Sequence, residues 1–117
     1  MKPVIRALGT ANPPLYTTQR EAFDFFRMHF NLAPEEEKLY RRLLLESTIR
    51  GRYVGMDRTE DACETDPDRL NARFLKYARW TAAAAATKGL EDAHVSPHEI
   101  GGLVVNTLLV TLCAEPI

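Results

Sequence analysis

The chain has 117 residues, a length that corresponds to one domain or to part of a larger one. Hydrophobic residues make up 45% and charged residues 26%, which excludes an intrinsically disordered chain, since such chains combine low hydrophobicity with high net charge. The formal net charge of −1 argues against a nucleic-acid partner, because nucleic-acid binders usually carry a basic excess.

The sequence also indicates a soluble cytoplasmic protein without a membrane partner. Apolar stretches stay shorter than the roughly 18 residues that span a bilayer, and the N-terminus lacks the apolar run of a signal peptide. Cys63 and Cys113 are the two cysteines, too few for a disulfide framework, so we expect a reducing compartment.

The first predicted element is a short strand near the N-terminus. Residues 4–8 form a largely apolar run that is stopped by Gly9 and by the turn-forming residues 12–14. A run of this length between breakers is typical of a buried strand, although periodicity alone also allows a short helical piece.

A first helix is predicted to begin after Thr18. Thr18 and Glu21 have the spacing of a capping box, in which each side chain accepts a hydrogen bond from an otherwise unpaired backbone N–H group. Phe23, Phe26 and Phe30 follow at helical spacing. We therefore expect a helix of about three turns with this aromatic stripe in the core.

A second helix is predicted to start at Pro34. Three glutamates follow the proline and basic residues come later, an order that complements the helix dipole. Leu39, Leu43 and Leu44 supply the predicted buried face, and we expect the helix to end near Glu46.

A long helix is predicted in the second half of the chain, after a polar stretch at 53–66 that we interpret as an irregular surface connection. The helical pattern starts at Pro67, passes through the five alanines at 82–86 and runs to about Ala93, with Gly89 as its weak point. Because small side chains let a helix approach another backbone closely, we expect this helix to be largely buried.

The last predicted elements are one helical turn and a strand. Ser96 and Glu99 have capping-box spacing, and residues 103–109 form a run typical of a buried parallel strand. The order strand, helices, long helix, strand predicts an α/β fold.

Candidate metal ligands and nucleophiles are few, and the sequence contains neither a Walker loop nor a GxGxxG or GxSxG motif. His29, His94 and His98 are candidate metal ligands, but a predicted helix end separates the last two, so we favour solvated imidazoles. Cys63 lies among acidic residues that do not favour a thiolate, and Cys113 has no evident histidine partner. Both are interpreted as ordinary thiols.

A basic cluster is the most distinctive polar feature. Its members are Lys38, Arg41, Arg42, Arg50 and Arg52. The planar fork of arginine is suited to phosphate. Taken alone, these charges are more typical of a solvated helix face than of a phosphate site, and an anion-binding edge is the alternative.

Four segments carry a resemblance to a known family. They are IRALGTANPP at 5–14, STIRGRY at 47–53, LNAR at 70–73 and GLVVNT at 102–107. In this order and near these intervals they resemble motifs of the type III polyketide synthases, the family of chalcone and stilbene synthases and their bacterial relatives. The matching motifs are the opening strand with its GTANP turn, an S-x-I-x-x-R-Y segment, an LDAR segment and the strand before a CTG or TTSG loop.

The resemblance implies that residues 1–117 are an incomplete N-terminal part of a thiolase-like α/β fold, which is homodimeric in the full enzyme. Such an enzyme is an acyltransferase that loads an acyl starter from coenzyme A onto a cysteine and extends it by decarboxylative condensation with malonyl-CoA. A histidine and an asparagine assist the cysteine and stabilise the enolate and oxyanion. Acyl-CoA and malonyl-CoA are substrates, and no cofactor is implied.

The resemblance places all three catalytic residues beyond residue 117. Cys113 lies too early to be the nucleophile. After Thr107 the match is lost, because Val110 replaces the loop glycine of the family, and Ala114 and Glu115 replace its Pro-Gly pair. We therefore expect a fragment truncated before the catalytic cysteine, and inactive alone.

The resemblance also implies a coenzyme A contact on the second helix. Aligned without gaps on the second segment, Arg42 falls on a basic position of the family. Leu39 and Glu46 fall on two further positions and are not basic. Lys38 and Arg41 are their neighbours, and Arg42 is the coenzyme A-binding residue carried over.

Two alternatives stay open. A ketoacyl-carrier-protein synthase of the third kind also begins with a strand, a turn and an I-x-x-R element, but the GTANPP and LNAR segments favour the polyketide synthase. In a different class of function, the chain is a non-enzymatic binding or dimerisation module that uses its alanine-rich helix and an exposed strand.

Overall fold

The computed structural model describes residues 1–107, which form a mixed α/β structure with three α-helices and a two-stranded sheet. The elements are β1 (Leu15–Thr18), α1 (Gln19–His29), α2 (Pro34–Leu45), β2 (Gly51–Val54) and α3 (Pro67–Ala93). Short 3-10 turns lie at Thr59–Cys63 and Pro97–Glu99. Within residues 1–107, none of the helices has the length and apolar character that a membrane span requires.

The chain divides into two compact units. One comprises Asn12–Trp80, and the other comprises Met1–Ala11 together with Thr81–Ile117. The long helix α3 contributes its residues 67–80 to the first unit and its residues 81–93 to the second.

The sheet of the first unit is a pair of antiparallel four-residue strands. Leu15 lies opposite Val54 and Thr17 opposite Arg52, and because side chains alternate across a strand, these four share one face. Tyr16 and Tyr53 form the pair between them. Their rings, on the other face, meet edge to face with centroids 5.1 Å apart.

Helix α1 begins with the predicted capping box. The Thr18 backbone N–H donates to Glu21 Oε2 (2.8 Å), and the Glu21 backbone N–H donates to Thr18 Oγ1 (3.1 Å). The Thr18 backbone N–H and the Thr18 hydroxyl, which also donates to Glu21 Oε2 at 2.8 Å, lower the pKa of the Glu21 carboxyl. Of the aromatic stripe, Phe23 is 1% exposed and forms the core, Phe26 is half-buried, and Phe30 at the helix end is exposed.

Helix α2 has the predicted start and ends one residue before Glu46, but its predicted buried face is wrong. Leu39 and Leu43 are 54% and 59% exposed, and Leu44 is half-buried. The helix packs on α1 through the Phe26–Tyr40 ring stack, with centroids 5.3 Å apart. Among the described residues no further layer covers the leucines.

Helix α3 has the predicted bounds, but the expectation that it is largely buried is wrong. Tyr77 is its one buried residue. The expectation of a close backbone approach is confirmed in the second unit, where Gly9 lies against the helix backbone between Ala85 and Gly89. A Cβ atom added to Gly9 would lie 2.0 Å from the Ala85 carbonyl oxygen.

Both predicted strands are corrected by the structure. Residues 4–8 and 103–107 lack strand structure, and Val4, Ile5 and Leu8 are 77%, 91% and 81% exposed. The physical reason is that a strand exists through its hydrogen-bonded neighbour, and residues 4–8 and 103–106 belong to neither strand of the sheet described within 1–107. The last two residues of the predicted strand at 103–109 lie outside the described part of the chain.

The connection predicted at 53–66 is also more ordered than expected, since it contains the end of β2 and a 3-10 turn. The strand at 51–54 was missed because its partner β1 is more than thirty residues away in sequence. The predicted turn at Ser96 and Glu99 is confirmed, and the Ser96 backbone N–H donates to Glu99 Oε2 at 2.7 Å.

Candidate functional site

The basic cluster of the sequence divides between helix α2, which carries Lys38, Arg41 and Arg42, and the start of β2, where Arg50 precedes the strand and Arg52 lies in it. On α2, the Arg41 guanidinium lies 3.5 Å from the Glu37 carboxylate and 5.0 Å from the centroid of the Phe23 ring. Arg27 contacts the same carboxylate at 3.2 Å. Arg41 therefore helps to join α1 to α2, and its charge is already partnered.

Arg42, the predicted coenzyme A contact, is exposed in the last turn of α2. A cation there complements the negative end of the helix dipole. Lys38 is exposed one turn earlier on the same helix. Arg50 precedes β2, and its carbonyl oxygen accepts a hydrogen bond from the Gln19 backbone N–H at 3.0 Å.

The histidines have local structural roles or are exposed. The His29 ring stacks on Phe25 with centroids 4.0 Å apart, and its Nδ1 donates to the Phe25 carbonyl oxygen at 3.0 Å. His98 is exposed in the last 3-10 turn. No group of three or more potential metal ligands occurs among residues 1–107. The exposed thiol of Cys63 ends a 3-10 turn, and Cys113 lies outside the described residues.

His94 ends helix α3. It adopts a left-handed backbone conformation with φ 54°, its N–H donates to the Glu91 carbonyl (3.1 Å), and the next N–H, of Val95, donates to the Leu90 carbonyl (3.0 Å). This pair of bonds is a Schellman motif, which satisfies carbonyl groups that the helix itself leaves unpaired. The Arg6 guanidinium also donates to the Ala93 carbonyl at 3.4 Å.

A polar cluster joins the loop after β2 to helix α3. The Lys76 ammonium donates to both Asp57 carboxylate oxygens (3.1 and 3.2 Å), and the Tyr77 hydroxyl donates to the same carboxylate. The Tyr77 hydrogen bond, with that of Lys76 second, lowers the pKa of Asp57. The hydrogen bond with Asp57 in turn raises the pKa values of Lys76 and Tyr77.

This polar cluster is best interpreted as structural. It borders a shallow depression of about 280 Å³ in which three carboxylates face three basic side chains. Arg73 donates to the backbone carbonyl of Asp61, and Arg69 contacts Glu64 at 3.3 Å. Because three carboxylates balance three basic side chains, the cluster presents little net field to a ligand, and exposed ion pairs of this kind contribute little to stability.

An apolar recess of the first unit lies between α1, α2 and the Leu15–Val54 face of the sheet. We call it the α1–α2 cavity. It has a volume of about 480 Å³. Its apolar lining consists of Leu15, Ala22, Phe25, Phe26, Leu43, Leu44, Val54, Met56 and Ala62, and its polar lining of Thr17, Gln19, Tyr40, Arg52 and Thr59.

Gln19 is the one buried polar residue described in the structure, at 6% exposure, and it lines the α1–α2 cavity. Its side-chain Nε2 has no hydrogen-bond partner within the described part of the chain. Sequence reasoning missed this residue, because a glutamine just after a helix N-cap looks like an ordinary surface position. Gln19 becomes buried only in the folded structure, where α2 and the sheet pack around it.

Comparisons of the chain with models of protein families, with curated proteins and with solved structures found no match.

Proposed function

We propose that the chain is an N-terminal segment of a cytoplasmic type III polyketide synthase with a thiolase-like fold, an acyltransferase that is homodimeric as a full enzyme and condenses an acyl-CoA starter with malonyl-CoA. One observation carries this proposal. Four segments between residues 5 and 107 resemble motifs of that family in the same order and near the same intervals. Each segment is short, and their joint order is what makes the resemblance specific.

Two residues of the first two segments, Gly9 and Ser47, have structural roles that support the proposal. Gly9 lies so close to the backbone of α3 that a side chain would collide with it. The Ser47 hydroxyl accepts a hydrogen bond from the Ile49 backbone N–H at 2.9 Å, in the turn between α2 and β2. The backbone contact explains why a glycine is needed at position 9, and the turn explains why a small hydroxyl residue suits position 47.

In this proposal Arg42 binds a phosphate group of coenzyme A. Its exposed position leaves the guanidinium accessible, and arginine donates two parallel hydrogen bonds to a phosphate. The condensation itself requires a cysteine, a histidine and an asparagine supplied by further polypeptide. The contribution of this chain is to bind and position the substrate.

The proposal is tested with a chimera in which residues 5–107 replace the matching segment of an active bacterial type III polyketide synthase. We expect the chimera to be soluble and to form pyrone products from acyl-CoA and malonyl-CoA. In that chimera, Arg42→Ala is expected to raise KM for acyl-CoA about tenfold to a hundredfold, the loss of a charge-assisted hydrogen bond, and to leave kcat unchanged.

The matched control is Arg20→Ala, which removes another exposed arginine, on α1. This control is expected to leave KM unchanged, and Arg42→Lys is expected to give an intermediate value. A chimera that is folded and dimeric but forms no product, or an Arg42→Ala variant with unaltered KM, contradicts the proposal.

A further inference from the structure

We propose that residues 56–64 form a movable wall of the α1–α2 cavity, held shut by side-chain contacts with helix α3. We call this segment the strap. The strap, the cavity and the part of α3 that the strap contacts all belong to the unit Asn12–Trp80. This conformational device is independent of the polyketide synthase proposal.

The strap contributes different side chains to the cavity and to α3. Met56, Thr59 and Ala62 follow one another at intervals of three residues and line the α1–α2 cavity. The carboxylates of Asp57 and Glu64 instead contact α3. The strap is therefore a wall of the cavity whose position depends on its attachment to the helix.

The backbone of the strap is not part of that attachment. Its hydrogen bonds run from Met56 to Val54 at 3.0 Å, from Asp61 to Arg58 at 3.2 Å and from Glu64 to Asp61 at 3.2 Å. All of these lead back to the strap itself or to the end of β2. Within residues 1–107, no backbone–backbone hydrogen bond joins the strap to a helix, so side chains alone hold it.

The side chains that hold the strap come from one face of α3. They are Arg69, Arg73, Lys76 and Tyr77, whose spacing of four, three and one residues brings them together on a helix. Arg69 contacts the Glu64 carboxylate at 3.3 Å, and Arg73 donates to the Asp61 carbonyl oxygen. Lys76 and Tyr77 both donate to Asp57. We call these contacts the latch.

The latch is weak because much of it is in contact with water. The Lys76 and Asp57 side chains are 60% and 64% exposed, and exposed ion pairs are screened by salt and contribute little to stability. The strap also contains no buried residue. Segments with few buried contacts and exposed hydrogen bonds open at a lower free energy than the core does. The strap therefore opens while the rest of the unit stays folded.

Opening of the strap uncovers the cavity. It removes Met56, Thr59 and Ala62 from the lining and leaves the apolar side chains of α1, α2 and the sheet accessible. Salt, or the loss of a latch residue, shifts the strap toward the open state.

The first test is hydrogen–deuterium exchange of the full 117-residue chain, resolved to single amides. In the parent chain, the amides of Met56, Asp61 and Glu64 are expected to exchange faster than that of Gln19, which is bonded to the Arg50 carbonyl at 3.0 Å. Raising sodium chloride from about 0.05 M to about 0.5 M is expected to accelerate only the strap amides.

Two variants test the latch directly. Arg73→Ala is expected to accelerate exchange of the strap amides about tenfold, because it removes a charge-assisted hydrogen bond. Lys76→Ala removes an exposed ion pair and is expected to accelerate it about twofold to fivefold. Both are expected to leave the Gln19 amide unchanged. The matched control is Arg79→Ala, which removes an exposed arginine of the same helix outside the latch and is expected to behave as the parent chain does.

The second test measures access to the cavity through Met56. Dilute hydrogen peroxide converts accessible methionine to its sulfoxide, and peptide mass spectrometry quantifies each site. Met56 is half-buried in the cavity lining, and Met28, which is 80% exposed, is the internal reference. Arg73→Ala is expected to raise the oxidation rate of Met56 relative to Met28 by about the factor seen in exchange.

Three results would overturn the proposal. Unchanged strap exchange in both Arg73→Ala and Lys76→Ala would show that the latch does not hold the strap. Equal acceleration of the Gln19 amide would show that the strap opens only when the whole unit unfolds. An unchanged ratio of Met56 to Met28 oxidation in Arg73→Ala would show that opening does not uncover the cavity.

Discussion

Replacing Gly9 by alanine is expected to destabilise the unit formed by Met1–Ala11 and Thr81–Ile117. The added Cβ would lie 2.0 Å from the Ala85 carbonyl oxygen, 2.6 Å from the Gly89 backbone nitrogen and 3.0 Å from the Gly89 Cα. All three are backbone atoms of helix α3 and have no rotamer that moves them away. The segment around Gly9 or the helix must shift as a whole.

The same contact predicts the opposite result for Gly89. A Cβ on Gly89 would meet Gly9 at 3.4 and 3.6 Å, which is ordinary van der Waals contact. Alanine is favoured over glycine inside a helix by about 1 kcal/mol. Gly89→Ala is therefore expected to stabilise the protein by up to that amount.

For Gly9→Ala, overpacking costs about 1–3 kcal/mol. The lower conformational entropy of the unfolded chain offsets about 0.4–1 kcal/mol of this, so a net loss of about 1–2 kcal/mol remains. Urea unfolding of both variants, followed by far-ultraviolet circular dichroism, measures the two changes against the parent chain. A parent-like midpoint for Gly9→Ala would refute the close approach of Gly9 to α3, and a lowered midpoint for Gly89→Ala would refute the van der Waals spacing at Gly89.

Three further predictions concern caps and charge. Thr18→Ala is expected to lower the free energy of unfolding by about 1 kcal/mol in the same urea assay, because it removes a capping-box acceptor. His94→Gly is expected to raise it by about 1 kcal/mol, since glycine adopts the left-handed conformation without strain. Asp57→Asn is expected to destabilise the chain at neutral pH. The pKa of Asp57 is lowered in the folded state, so the carboxylate stabilises the fold at neutral pH and this contribution is lost as the pH falls through the lowered pKa. The difference in stability between Asp57→Asn and the parent should therefore vanish only at strongly acidic pH. A difference that persists unchanged in acid would contradict this assignment.

The helices were predictable because their signals are local. The capping box at Thr18 and Glu21 and the prolines at 34 and 67 mark helix starts within one turn of sequence. The end of α3 was placed correctly at Ala93, although its cap is a histidine in a conformation usually reserved for glycine.

The strands were not predictable because pairing is non-local. β1 contains two threonines and no aliphatic alternation, and it gains its identity only by pairing with β2. The more apolar run at 4–8 has the better strand composition and remains unpaired within residues 1–107. Composition predicts where a strand is tolerated, and a partner decides where it forms.

The residues of the candidate site also divide into one that the sequence could indicate and one that only the fold reveals. Arg42 was selected by a gap-free alignment counted back from the segment at 47–53, and it has the exposed position that a phosphate contact needs. Gln19 carries no motif, and the feature that distinguishes it is the burial of its amide without a partner. That burial depends on α2 and β2, which lie far along the chain from it.

The junction at Thr18 has a consequence for how this chain tolerates change in length. Thr18 is both the last residue of β1, opposite Gly51, and the N-cap of α1, so the strand and the helix share a residue and have no connecting loop. One residue inserted after it would rotate α1 by about 100° and turn Phe23 out of the core. We therefore expect insertions and deletions to be tolerated only in the loops on either side of this junction. The number of residues between Leu15 and Phe23 should not vary.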